Sequence, residues 1–260
     1  KSMNKTLKTE QSLEKGAFVL LFSTLVAKII SAVFVIPLSM DFCLGDLGFG
    51  YFSAVHDLFV PISTLAISGF PIVVSKLVAE KIAEKNTDDL QSVLSVSRKL
   101  LLKIGVVATI VLLALIFPLV YFTDKSMQSI YSYLCLLPSV IFCCFASVYR
   151  GFYEGFNNMS PAAISSVYEA IAKLIFGFGV AMLMIKTTGN PAFAAAAAIL
   201  GISFGSFVAA LYLHIKFKKD KPFKNTQSTV VKQNVSISAK HFLTVAFAIS
   251  FSALCGSFIA

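Results

Sequence analysis

Apolar stretches of the length needed to cross a bilayer, about 20 residues, recur along this chain with short polar turns between them. They run from about Gly16 to Met40, Gly48 to Glu80, Thr87 to Phe122, Ser129 to Tyr149, Pro161 to Ile185 and Pro191 to Lys216, and a seventh opens near His241. The pattern predicts an all-α integral membrane protein. Helix starts are marked by Thr87 ahead of Asp88 and Asp89, and by the cap-then-proline pairs Ser160–Pro161 and Asn190–Pro191. The second stretch, GFGYFSAVHDLFVPISTLAISGFPIVVSKLVAE, is predicted as one long helix kinked at Pro61 and Pro71.

The same pattern sets the expected domains. Residues 1–15 are a polar cytoplasmic leader, too poor in apolar residues for a secretory signal. Residues 16–217 form a six-helix transmembrane N-terminal lobe, residues 218–240 a basic cytoplasmic linker, and residues 241–260 the first span of a truncated second lobe.

Composition strengthens this: 57% of residues are hydrophobic and only 13% charged, far from the balance of a soluble domain. The net charge of +9 changes meaning once its placement is considered. Eighteen of the 22 Lys and Arg residues fall on one side if the spans alternate, Lys125 and Lys186 fall on the other, and Lys28 and Lys173 lie inside spans. Such asymmetry is the positive-inside pattern, which puts the N-terminus in the cytoplasm and argues against nucleic acid as a partner. The five cysteines lie in or beside apolar runs without metal-ligand spacing and are expected to act as small apolar residues, with no metal or cofactor.

Charges inside spans are costly and normally face a polar cavity or a partner. Lys28 lies about a dozen residues into its span, about 18 Å at 1.5 Å per residue, too deep to reach the cytoplasmic interface easily. His56 and Asp57 interrupt the second span, and Glu169 and Lys173 stand four residues apart in the fifth, where the two side chains can meet. That last pair either neutralises itself or lines a cavity with Lys28 and Asp57. The candidate substrate-binding residues are therefore Lys28, His56, Asp57, Glu169 and Lys173. The adjacent acids Asp88 and Asp89 are explained by helix capping, and no arrangement of acids or phosphate-cradling glycines points to an enzyme.

Four segments carry a resemblance: AKIISAVFVIPLS (Ala27 to Ser39), GFGYFSA (Gly48 to Ala54), SGFPIVVSKLVAE (Ser68 to Glu80) and YRGFYEGFNNMSPAAISSVYEAIAK (Tyr149 to Lys173). They resemble the polysaccharide transporter branch of the multidrug/oligosaccharidyl-lipid/polysaccharide exporter superfamily, MATE-like in fold. The stage V sporulation protein B type, related to the lipid II flippases of bacterial cell-wall synthesis, is the nearest likeness. The resemblance implies one six-helix lobe of a two-lobe carrier in the bacterial cell membrane, with a central cavity that opens alternately to each side. It also implies that Lys28 and Lys173 sit where cations hold a substrate pyrophosphate. The chain departs from its relatives at Val35, where they commonly carry Arg, and so brings one cation fewer.

The function expected is export or flipping of a lipid-linked oligosaccharide or polysaccharide, a cell-wall precursor, by alternating access. Its partners are the lipid-linked sugar, the bilayer and whatever bias drives alternation: membrane potential, a coupling-ion gradient or substrate concentration. The alternatives are a MATE-type antiporter for drugs or organic cations, which calls for a cavity dominated by carboxylates, and an inactive truncated or structural membrane protein.

Overall fold

Hydrocarbon offers no partner to backbone N–H and C=O groups, so apolar segments of this length must satisfy them within a helix. The computed structural model describes residues 13–64, 69–84, 87–121 and 127–220. The helices are α1 (Leu13–Leu38), α2 (Gly45–Thr64), α3 (Phe70–Ala83), α4 (Thr87–Leu119) and α5 (Ile130–Gly155). They are followed by α6 (Ser160–Ala172), α7 (Gly179–Thr188) and α8 (Pro191–Asp220), with a π-helical segment, Lys173–Phe178, joining α6 to α7. Five helices among the described residues are long and apolar enough to cross a membrane: α1, α4, α5, the composite Ser160–Thr188, and α8. Helices α2 and α3 hold the second position in the series.

Several boundaries differ from expectation. The stretch predicted as one helix is described over α2 and α3, and whether the two are continuous rests on residues 65–68, which lie outside the described residues. Pro71 sits in the first turn of the described α3. Ser160 is the first residue of α6, with Met159 at the cap position, whereas the Asn190 carboxamide oxygen accepts from the Ala192 N–H at 3.0 Å, as a cap should. Helix α5 runs to Gly155, past the predicted exit at Tyr149, and α8 runs to Asp220, past the predicted boundary at 217. Residues 13–15 of the expected leader already belong to α1. The rest of the leader, the linker from 221 and the seventh span lie outside the described residues.

Helix α8 is the centre of the bundle, packed against α5, α6, α7, α2 and the π segment. Its first half is a run of alanines, mostly buried, which lets neighbouring helices come close. Two glycine pairs at four-residue spacing set the closest approaches. A Cβ on Gly151 of α5 would lie 2.5 Å from the Pro71 carbonyl oxygen, and one on Gly155 would lie 2.7 Å from Val78. On α8, a Cβ on Gly201 would lie 2.1 Å from the Gly177 Cα, inside the π segment, and one on Gly205 would lie 2.7 Å from the Glu169 carbonyl oxygen. The backbone of α8 therefore touches the backbone of the chain segment that carries Glu169 and Lys173.

That contact makes Gly201→Ala a sensitive probe. Overpacking there is expected to cost about 1–3 kcal/mol and to lower the melting midpoint of the purified protein. Gly50→Ala, inside α2 with nothing within 4 Å of the added carbon, should keep the midpoint or raise it, since Ala favours a helix interior over Gly by about 0.5–1 kcal/mol. Equal midpoints for the two variants would show that α8 and the π segment are not in backbone contact.

Candidate functional site

The site grows from the meeting of α5, α6 and α8. Arg150 is buried on α5, and its guanidinium has two partners on α6. Its Nε donates to Ser165 Oγ at 3.1 Å and its Nη2 to Glu169 Oε2 at 2.9 Å. The other Glu169 oxygen accepts from Ser206 Oγ of α8 at 3.0 Å, and Ser206 in turn accepts from Cys143 Sγ at 3.4 Å. The side chains of Arg150 and Glu169 are 5% and 22% exposed, so this is an ion pair in an apolar interior with both carboxylate oxygens taken. Three helices are tied by one charge pair.

Lys173 lies one turn beyond Glu169, at the start of the π segment, and is directed elsewhere. Its Nζ donates to Ser31 Oγ of α1 at 2.9 Å and stands 5.5 Å from the centre of the Phe34 ring. A ring face attracts a cation but does not neutralise it. From Phe34 an aromatic series continues to α2: Phe34 meets Phe52 edge-on at 6.0 Å, and Phe52 stacks on the His56 imidazole at 5.4 Å. The Lys173 charge is felt at His56. Lys28 is exposed on α1, three residues before Ser31. Residues three apart on a helix are neighbours, about 5–6 Å between Cβ atoms, so Lys28 and the Ser31 that receives Lys173 belong to adjacent turns of one surface.

The hydrogen bond to Ser31 and the Phe34–Phe52–His56 series thus bring Lys173 to the vicinity of His56 and of the α1 surface next to Lys28. Asp57 is placed differently: its side chain is 79% exposed and touches His56 only at 3.9 Å. Consecutive residues on a helix point in different directions, so the two neighbours in sequence do not share a face. Glu169 and Lys173, which the four-residue spacing allowed to pair, are engaged with Arg150 and Ser31 respectively.

Arg150 is the residue that sequence reasoning missed. It was counted with the cytoplasmic cations at the end of a span, but the span continues past it to Gly155. The available signal was its setting in YRGFYEG, a lone cation among aromatic residues and glycines. Among the described residues, no cluster of three or more metal-ligating side chains is present. Cys43, Cys143 and Cys144 are buried free thiols and Cys135 is half-buried, while Cys255 lies outside the described residues.

Removing one member of a buried ion pair strands the other, at about 3–5 kcal/mol, whereas replacing both by apolar residues is often nearly neutral. Arg150→Met alone should therefore lower the unfolding midpoint sharply, and combining it with Glu169→Met should recover most of the loss. A double variant as unstable as the single one would contradict the pairing.

Comparison with known proteins fits this architecture. Stage V sporulation protein B of Bacillus subtilis (strain 168) is 28% identical over 221 residues, covering 83% of this chain and 41% of that protein. An uncharacterized membrane protein, YabM, from the same organism is also 28% identical over 221 residues, covering 85% of this chain and 40% of its own. The lipid II flippase MurJ of that organism is 26% identical over 216 residues, covering 80% and 39%. The chain therefore spans about two fifths of the length of these relatives. Among solved structures, an outward-facing multidrug resistance MATE family transporter of the MOP superfamily superposes with a TM-score of 0.77 at 18% identity, over 99% of this chain and 57% of its own. A MOP superfamily transporter from Pyrococcus furiosus, described as having a binding pocket of reverse polarity, gives 0.77 at 19% identity with the same coverage. These likenesses establish the MATE-type transporter fold. The family model for polysaccharide biosynthesis proteins matches residues 13–260, and the chain belongs to that family.

Proposed function

We propose that this chain is one lobe of a transporter that flips a lipid-linked oligosaccharide or polysaccharide across the cell membrane, holding the anionic diphosphate of its cargo at Lys173 and Lys28. One observation carries the proposal. Arg150 and Ser206 occupy both oxygens of Glu169, so the carboxylate nearest to Lys173 is already engaged. Lys173 rests on a serine hydroxyl and a ring face. A cation in such a position gains strongly from an anionic guest, because a charge-assisted hydrogen bond is worth more where water is scarce.

The physical requirements of the cargo match. A diphosphate sugar cannot enter hydrocarbon, while the lipid to which it is attached can remain there. Lys173, Lys28 and the His56 imidazole offer donors that replace the head group's water. Glu169 takes the role of a positioning residue that fixes Lys173 through the packing of α6 on α8, and Asp57 stands at the exposed rim. No covalent step is part of this function. The name of one relative, a lipid II flippase, supports transport of a lipid-linked precursor, and the P. furiosus transporter indicates that pockets of either polarity occur on this fold. The basic residues of one end, among them Lys76, Lys99, Lys218 and Lys219, support a cytoplasmic placement of that end and of the N-terminus.

In vesicles containing the full-length protein, Lys173→Gln and Lys28→Ala should each slow the flipping of a lipid-linked diphosphate sugar by about tenfold or more. Lys76→Ala should not, since Lys76 is exposed and pairs only loosely with Glu80 at 3.9 Å. Wild-type rates in both of the first two variants would remove the cations from the site and with them this function.

A further inference from the structure

Helix α5 packs against both α4 and α8, and cationic side chains of the two meet over one of its rings. The Arg98 guanidinium of α4 stands 5.7 Å from the centre of the Phe145 ring, and the His214 imidazole of α8 stands 5.9 Å from it. The His214 Nδ1 is hydrogen-bonded to the buried Tyr149 hydroxyl at 2.9 Å, which orients the imidazole, and Nε2 has no partner among the described residues. Lys218 follows His214 by four residues, on the same face of α8, and the charges of Arg98 and Lys218 are both felt at His214. The cluster is distinct from the Arg150 site. Tyr149 and Arg150 adjoin in sequence, but successive residues of an α-helix are turned by about 100°. Arg150 is thereby directed at α6, whereas Phe145 and Tyr149, four residues apart, share the face toward Arg98 and His214.

Among the described residues, no carboxylate pairs with Arg98 or Lys218. Asp220 is engaged through both oxygens, by Lys216 at 3.1 Å and by Tyr153 at 2.8 Å. Glu154 lies nine residues from Phe145, two and a half turns at 3.6 residues per turn, and so stands on the opposite side of α5. Asp88 and Asp89 precede Arg98 on α4 by about 14 Å or more at 1.5 Å per residue. Wherever they lie, residues 221–260 add four lysines and no acid, and residues 1–12 three lysines against Glu10.

Inward from the cations the same three faces turn apolar. The Arg98 face of α4 continues to Leu102, the Tyr149 face of α5 to Phe142, and the His214 face of α8 to Leu211 and Phe207, all half-buried or exposed. Phe142 and Phe207 meet edge-on at 5.1 Å. These residues lie in one direction in space, because Arg98 is over Phe145 while a Cβ on Gly105 would lie 3.3 Å from Cys144, so that α4 and α5 run antiparallel. Cations at the mouth of an apolar cleft match a molecule that is anionic at one end and hydrocarbon along the rest. The bilayer supplies that molecule as an anionic phospholipid, and basic pockets between membrane helices take such head groups.

We propose that the cleft of α4, α5 and α8 binds an anionic phospholipid of the surrounding bilayer, its phosphate at Arg98, His214 and Lys218 and its acyl chains over Phe142 and Phe207. The site is separate from the cargo site and does not depend on what the transporter carries.

The test is calorimetry on the purified full-length protein in neutral detergent, with dihexanoyl phosphatidylglycerol, dihexanoyl phosphatidylcholine and glycerol 1-phosphate as ligands. The wild type should bind phosphatidylglycerol about tenfold or more tighter than phosphatidylcholine, and also more tightly than glycerol 1-phosphate. Arg98→Gln combined with Lys218→Gln should reduce the preference to within about twofold; both side chains are exposed, so the core is left intact. Lys76→Gln removes an exposed cation of α3 and should keep the preference. An unchanged preference in the double variant, or an equal loss in Lys76→Gln, would overturn the site. No preference in the wild type, the result expected if the rest of the protein covers the cleft, would overturn it as well. Binding of glycerol 1-phosphate as tight as that of phosphatidylglycerol would overturn the lipid and assign the cluster to a soluble phosphate ester.

Discussion

A charge inside a membrane bundle must be compensated there, and in this protein the Arg150–Glu169 pair meets that constraint. It does so across three helices: α5 supplies the guanidinium, α6 the carboxylate and the Ser165 hydroxyl, and α8 the Ser206 hydroxyl. Its planar fork of donors lets one arginine reach two side chains of the neighbouring helix at once, which a lysine ammonium does less well. With Glu169 satisfied in this way, Lys173 is turned out toward α1. The polarity proposed for the site follows from the pairing behind it.

Packing reinforces the electrostatics. Gly201 and Gly205 bring α8 against the backbone of Glu169, Lys173 and Gly177, and the chain accommodates this approach with a π-helical turn at Lys173–Phe178. An extra residue in that turn displaces the side chains beyond it, and such segments recur at functional positions. Here the segment opens on the candidate cation itself. The aromatic series from Phe34 through Phe52 to His56 then gives Lys173 a firm floor on the α1–α2 side.

Much of this was legible in the sequence. The order of the apolar segments follows from hydropathy, and the cost of burying charge singles out Lys28 and Lys173, although Lys28 is exposed on α1. The partner choices were not legible. Local spacing allowed Glu169 to meet Lys173, but an arginine 19 residues earlier supplies better geometry, and no rule of helix periodicity describes a contact between separate helices. Arg150 itself was hidden because an arginine near a span's end resembles an interfacial cation. His56 and Asp57 read as one unit because they are adjacent, although adjacency on a helix separates side chains.

The central claim is that the pairing of Glu169 with Arg150 leaves this lobe with a cationic site, suited to an anionic cargo. The most direct measurement compares saturable binding of inorganic diphosphate and of tetraphenylphosphonium to the purified chain. The account predicts diphosphate binding that is weakened in Lys173→Gln, with no saturable binding of the organic cation. Saturable binding of tetraphenylphosphonium that disappears in Asp57→Asn, with none of diphosphate, would contradict it and favour a cation antiporter.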